Sequence, residues 1–492
     1  MKIKQKAFLF FILTSISAIS LWSCKDYLEL EPEFAQDADN YFTSPEHYDL
    51  ALTGAYDLLQ GSFLHLWIGE IASDNSIAGG ESVVDTKGLH DIDDMIHGGV
   101  NDELRSVFRW NYSGITRCNF ILENRNKIDF TGKDEIIAQA TFLRAYYYFQ
   151  LVKFFGDVPL ILDERLGSDG VSDSKRTNKN EVYDAIVSDL NSAIPNLNWM
   201  ASEKGRITKG AALALLGKVY LYRNQFAESA TTLDNVINNG GYSLLTNYNA
   251  LFAVGNEGHR ETVFDIQYTG IEGGSYDCLI CLEGNAAPGF HGIRQYSGPI
   301  YGDGNSYNLP TKDLYDSFGA NDQIRRDASI LDIEAFKQSQ TATVRYAVGG
   351  GGHTGYYNNK YIKRQGEIGA PDDDLTSPVN YHVIRYADVL LMAAEAHNRN
   401  GNDGTALTYV NQVRNRVNLP NLTSSGSALT EDIWNERRLE LAGEGHRFFD
   451  LVRTNEAANE ITGFTPGKND LFPIPQIEID LAGGNWGQNP GY

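Results

Sequence analysis

Cysteine is scarce: four occur in 492 residues, at positions 24, 118, 278 and 281. That argues against a disulfide-framed fold, which sets a dense, even number of bridges into a short chain. Cys278 and Cys281 have the spacing of a redox or zinc pair, but no second pair and no histidine cluster accompanies them. A local disulfide or two free thiols is expected there, and neither a metal nor a cofactor is expected anywhere. Basic residues are outnumbered, 41 Lys and Arg against 64 Asp and Glu, for a formal charge of −23. No basic face is left to release counterions from phosphates, which argues against nucleic acid and against electrostatic adhesion to an anionic membrane. Catalytic signatures are missing as well: there is no HExxH, no GxSxG and no Walker A motif. Gly350 to Gly355 matches GxGxxG by letter, but a dinucleotide loop opens a helix and the following "YYNNKYIKR" reads as a strand. Asp372, Asp373 and Asp374 lack the spaced oxygens and bend glycine of a calcium loop. No carboxylate pair among the 64 acids announces a glycosidase. A binding protein is expected, not an enzyme.

The apolar run from Ala7 to Trp22 is 16 residues long, too short and wrongly flanked for an ordinary spanning helix. Lys2, Lys4 and Lys6 precede it, and Leu21-Trp22-Ser23-Cys24 closes it in the pattern of a bacterial lipobox. Residues 1–23 are read as a lipoprotein signal peptide and Cys24 as the lipidated first residue of the mature chain. Several acyl chains together anchor stably where one is marginal. Loss of the three leader lysines takes the formal charge from −23 to −26.

Helical periodicity marks 135–155, 180–197 with Asn180 as cap, 208–223 with a Thr208 cap, 226–238, 386–399, 403–417, and 431–452 with a break near Gly443 and Gly445. Tyr146, Tyr147 and Tyr148 fall at core spacing on the first of these. Gly217, Tyr220, Ser229 and Leu233 repeat at the offsets of Ala394, His397, Ala406 and Val410. Small residues at such offsets let two antiparallel helices approach, as in tetratricopeptide hairpins. Ala145 and Tyr148 begin a third unit whose second helix is displaced to about Asn180 by an insertion. Residues 264–362 differ: they carry 15 glycines and 14 Phe or Tyr and no Trp, with the strand-like runs "ETVFDIQY" across their start and "YYNNKYIKR" across their end. Loops on a rigid scaffold are where binding usually sits.

The order of several blocks adds a resemblance. "YLELEPE", "YFTSPEHYDLALTGAYDLL", "LRAYYYFQLVKFFGDVPLI", "TKGAALALLGKVYLY", "RYADVLLMAAEAHNRNG", "ERRLELAGEGHRFFDLVR", "LFPIPQIEIDL" and "QNPGY" follow one another as in the SusD/RagB family of outer-membrane nutrient-uptake lipoproteins. The resemblance covers essentially the whole mature chain. It implies a mostly α fold, a tetratricopeptide-like hairpin scaffold with an irregular loop-rich lobe containing short strands. The division would be residues 24–263, 264–380 and 381–492, packed into one domain. It also implies a protein at the cell exterior that binds a glycan and pairs with a TonB-dependent barrel transporter. Peptide or other nutrient cargo on the same scaffold, or a lid with little affinity of its own, are the rival expectations.

Sugars have apolar C–H faces and a rim of hydroxyls, so flat rings and Asp, Asn, Arg or His edges are sought in loops. Trp67, Asp74 and Asn75 form a first group in "HLWIGEIASDNSIAGG", although Trp67 can equally be a core residue beside Leu66 and Ile68. Tyr276, Phe290, His291, Arg294, Tyr296, Tyr301 and Tyr307 form a second, interleaved with Gly and Pro. Tyr356 and Tyr357 form a third. The Glu436, Arg437, Arg438 and Glu440 run is read as a helix face with ion pairs.

Overall fold

The structure is a computed structural model and describes residues 41–162, 165, 168–271, 276, 282–367 and 374–492. The leader, Cys24, Cys278, Cys281, Asp372 and Asp373 lie outside the described residues.

The main helices are α1 (Pro45–Asp57), α2 (Phe63–Ile71), α3 (Asp102–Glu123), α4 (Lys133–Phe155), α5 (Lys179–Ala193) and α6 (Lys209–Tyr222). They continue with α7 (Phe226–Asn239), α8 (Tyr386–Arg399), α9 (Asp403–Arg416), α10 (Gly426–Glu440) and α11 (Arg447–Thr454). Side-chain caps set several starts. Thr208 Oγ1 accepts the Ala211 N–H at 3.1 Å, as its place before α6 requires. The cap of α5 is Asn178, not Asn180: the Asn178 side chain accepts the Asn180 N–H at 2.9 Å. α4 is buried almost all round from Ala138 onward and runs through the centre. Its Tyr146, Tyr147 and Tyr148 are buried, and the hydroxyls of Tyr147 and Tyr148 donate to the carbonyls of Ala55 and Ile161 at 2.7 and 3.0 Å.

The hairpins pack as the small-residue spacing requires. A Cβ on Gly217 would sit 2.6 Å from Leu233, and Ser229 Oγ donates to the Gly217 carbonyl at 2.8 Å, so α6 and α7 touch backbone to side chain. In the α8–α9 hairpin Ala394, Ala406 and Val410 are fully buried. His397 and Tyr409 both reach Asp234 of α7, at 3.0 and 2.8 Å, which joins neighbouring hairpins. Arg144 of α4 grips Asp189 of α5 with two bonds of 2.8 Å.

The strands of three residues or more are β1 (Ser76–Ala78), β2 (Thr262–Ile266), β3 (Asn308–Pro310), β4 (Ile330–Asp332), β5 (Tyr356–Asn358) and β6 (Tyr381–Arg385). They pair antiparallel as β1 with β3, β2 with β6 and β4 with β5. The run "YYNNKYIKR" yields only β5, because the Asn358 side chain accepts the N–H groups of Lys360 and Tyr361 and turns the chain. The irregular segment has a small core of its own, built on Ile293, Tyr296, Tyr301, Leu309, Leu331 and Tyr357.

A buried ion network lashes that segment to the helices. Arg325 reaches Glu436 of α10 at 2.5 Å, and Lys360 reaches Glu444 at 2.7 Å. Arg385 at the end of β6 bonds Glu440 at 2.6 Å, Glu444 at 2.8 Å and Glu261 at 3.0 Å. The helix face of Glu436, Arg437, Arg438 and Glu440 carries the ion pairs its sequence suggests, and Glu436 and Glu440 place them in an interior ionic seam.

Candidate functional site

The site is built around α2 and the β1–β3 pair. α2 delivers Trp67 inward, and β3 follows directly on Tyr307. The short helical turn Ala287–His291 brings Phe290 alongside. Trp67, Phe290 and Tyr307 then form a triangle of rings: centroids are 5.0 Å apart for Trp67 and Phe290, 5.6 Å for Trp67 and Tyr307, and 5.7 Å for Phe290 and Tyr307. Tyr276 joins from outside, 6.4 Å from Phe290 and 52% exposed. The cluster thus has an interior base, Trp67 and Phe290, and an outer layer, Tyr276 and half-buried Tyr307. Aromatic clusters of this kind hold their rings rigidly, which lowers the entropy lost on binding.

A polar rim surrounds Tyr307. Arg294 pairs with the exposed Glu81 at 2.8 Å, and Asn305 Nδ2 donates to the Tyr307 hydroxyl at 3.5 Å. Burial, with the Asp85 carboxylate beside it, pushes the Tyr307 phenol up to about 12, so it remains a donor at neutral pH. Exposed Val83 and Val84 cap the same loop.

Glycine shapes this surface. Gly79 and Gly80 donate to the carbonyls of Tyr307 and Ser306 at 3.1 and 2.9 Å, extending the β1–β3 pairing. Gly80 has φ +97°, and a Cβ there would press on the Tyr307 ring at 3.0 Å. The run Gly349 to Gly352 lies backbone to backbone against residues 78–81. A Cβ on Gly349 would lie 1.9 Å from the Gly80 carbonyl oxygen, and Gly350 donates to the Glu81 carbonyl at 2.7 Å. The GxGxxG-like stretch is a support for this loop.

Of the sequence-derived candidates, Trp67, Tyr276, Phe290, Arg294 and Tyr307 come together here. Trp67 itself is only 6% exposed and serves as the base, so it offers no open ring face. Its place on an apolar helix beside Phe290 explains the burial. Asp74 and Asn75 are elsewhere engaged: Arg447 and Arg438 grip Asp74 at 2.7 and 2.9 Å, and Arg438 Nε donates to Asn75 Oδ1 at 2.9 Å. They join the loop after α2 to α10 and α11. His291 lies edge-on to Trp67 but is fully buried, and burial lowers its pKa to about 3. Tyr296 packs in the small core with its hydroxyl bonded to the Pro299 carbonyl at 2.6 Å, as Tyr301 and Tyr357 also pack there. Tyr356 stacks on Tyr315 at 4.6 Å, away from the cluster. Sequence reasoning passed over Glu81, Asp85 and Asn305. The signal was available in "GGESVVD", where an acidic loop with two exposed valines follows the glycine pair.

Comparison with known proteins identifies the family to which this helical scaffold belongs. Residues 337–492 match the SusD family, and residues 26–221 match a family described as starch-binding associating with outer membrane. A solved laminarin binding SusD-like protein is 34% identical, with a TM-score of 0.83 over 91% of this chain and 99% of that one. Surface glycan-binding protein A from Bacteroides fluxus is 26% identical with a TM-score of 0.81, over 91% and 100% of the two chains. A SusD-like protein of Formosa agariphila is 28% identical over 94% of this chain and 93% of the relative. The chain belongs to the SusD/RagB family.

Proposed function

We propose that this chain is a surface-exposed outer-membrane lipoprotein that binds a glycan through the Tyr276–Tyr307 face and delivers it to a TonB-dependent transporter. The observation that carries the site is an outer pair of tyrosine rings, on a rigid aromatic base, ringed by Glu81, Asp85, Arg294 and Asn305. Rings stack on the C–H faces of a pyranose while carboxylate, guanidinium and amide groups bond its hydroxyls. An open face of this kind suits the interior of a long chain. The 34% identical relative described as laminarin binding makes laminarin the first ligand to test.

Cys24 is the proposed anchor, on the strength of the lipobox and the acidic tether that follows. The chain lacking residues 1–24 is to be run through gels containing laminarin, starch and a panel of other polysaccharides. Retardation by one glycan, lost in Tyr307→Ala, is the expected result. No retardation on any glycan, or retardation indifferent to Tyr307→Ala and Tyr276→Ala together, overturns the site. For the transporter, affinity capture of the native lipoprotein from outer membranes is expected to bring down a barrel protein, and its absence overturns that part.

A further inference from the structure

A cavity of about 750 Å³ opens in the helical scaffold, between the end of α4, the start of α5 and α11. It shares no residue with the Tyr276–Tyr307 face. Lys153 of α4 lines it. Its Nζ lies 3.9 Å from the Phe449 ring centroid, 5.3 Å from Phe154 and 5.8 Å from Phe149. Among the described residues no carboxylate pairs with it. Asp450, the acid whose charge it feels, is committed to Arg453 at 2.8 Å and Arg437 at 3.2 Å. Burial, with the Lys218 ammonium nearby, holds the Lys153 pKa well below the usual lysine range, so the site by itself disfavours the ammonium and an anion seated beside it favours the charged form. An ammonium this desolvated costs stability, and the rings offset only part of that cost.

The other cations of the lining are already matched or lie at the mouth. Arg223 pairs with Asp184 at 2.8 Å, Arg453 holds Glu395 at 2.6 Å, and Lys179 sits exposed at the start of α5. Asp470 is the one acid in the described lining. In a chain of formal charge −23 this is a cationic pocket. Its walls carry the flat rings of Tyr183 and Tyr222, and the amides of Asn180, Asn224 and Gln225 edge it. Gln225 Oε1 is buried without a hydrogen-bond partner.

We infer that this cavity is a second ligand site, for a uronic acid, with the sugar carboxylate on Lys153 and the ring against the aromatic walls. A single ammonium with no free guanidinium beside it matches a single negative charge, such as the carboxylate of one uronic acid residue. Amides beside rings suit hydroxyls. The size fits a mono- or disaccharide, within the few hundred to about 1,000 Å³ of small-molecule pockets. The observations favour a sugar over an acidic peptide, because extended peptides dock on sheet edges or grooves, and here helices close the walls.

The test is isothermal titration of the intact chain with D-glucuronate, with D-glucose as the neutral match. Saturable binding of glucuronate, at least tenfold tighter than glucose, is expected. Lys153→Met keeps the apolar stem among the rings and is expected to lose tenfold or more; Gln225→Ala, at a surface turn, is expected to lose several-fold and covers the case in which Lys153→Met does not fold. Tyr307→Ala is expected to bind glucuronate unchanged, which separates this site from the glycan face. No glucuronate binding, equal binding of glucose, or glucuronate binding indifferent to both cavity variants overturns the inference. Binding of a Glu-rich peptide with no response to glucuronate overturns the sugar assignment.

Discussion

Trp67 and Tyr307 lie nearly parallel, ring centroids 5.6 Å apart and planes 20° apart, one buried and one half exposed. The buried ring supports and the outer ring is available, so substitutions at the two positions should separate stability from binding. Tyr307→Ala is expected to weaken glycan binding by about 1–2 kcal/mol, roughly tenfold, with little change in melting temperature. Trp67→Ala is expected to cost about 3–5 kcal/mol of stability, as large-to-small core changes do. Affinity gels and thermal melts run on both variants check the pair. Equal loss of stability in both would contradict the base-and-surface division.

Gly349→Ala is expected to disturb the same face from a distance. Its Cβ would land 1.9 Å from the Gly80 carbonyl oxygen, so the 79–86 loop has to shift. A loss of about 1–3 kcal/mol in stability, with weaker glycan retention, is expected. Gly355→Ala, where a Cβ meets nothing within 4 Å but φ is +84°, is the comparison: it should cost about 1 kcal/mol and leave binding intact.

The ionic seam predicts acid sensitivity. Burial opposes ionisation of Glu440 and Glu444, but the guanidiniums and Lys360 win and hold both carboxyls below their usual range. A depressed folded pKa contributes stability above the unfolded value of about 4.3 and loses it as pH falls through the folded value. Thermal stability should therefore decline from about pH 5 downward. Arg385→Met removes the guanidinium shared by Glu261, Glu440 and Glu444, leaves the first two on Arg416 and the third on Lys360, and is expected to cost about 3–5 kcal/mol at pH 7. Denaturant titrations across pH 3–7 measure both, and an acid limb unchanged in Arg385→Met would refute the assignment.

Glu70 on α2 should act with the opposite sign. Burial raises its pKa to about 7, although the Gly445 N–H bonds its Oε1 at 2.7 Å. The folded state therefore binds this proton more tightly than the unfolded state, so its contribution falls as pH rises from about 4.3 through 7. Glu70→Gln keeps the acceptor for Gly445 and is expected to gain on the order of 2 kcal/mol at pH 8 and nearly nothing at pH 4. Melting temperatures of the two proteins that stay parallel from pH 4 to 8 would show that Glu70 does not titrate there.

The sequence by itself determined the helices from α4 to α11, though not α1 to α3, because a helix writes its burial into a local period and its start into a cap residue. Thr208 at α6, Gly217 with Leu233 and Ser229, and the break at Gly443 and Gly445 were all legible, and colinear blocks carried the family. A cap two residues off, at Asn178, marks the limit of local pattern. What only tertiary structure decided was which polar and aromatic loop residues face solvent. Trp67, Asn75 and His291 carry sugar-binding chemistry, yet contacts with Phe290, Arg438 and Asn308 bury them. Glu81, Asp85 and Asn305 became rim residues only when β1 met β3 and the Gly349 run closed on Gly80. Loop side chains have no period, and contacts between residues far apart in the chain set their exposure, so their roles depend on the assembled fold.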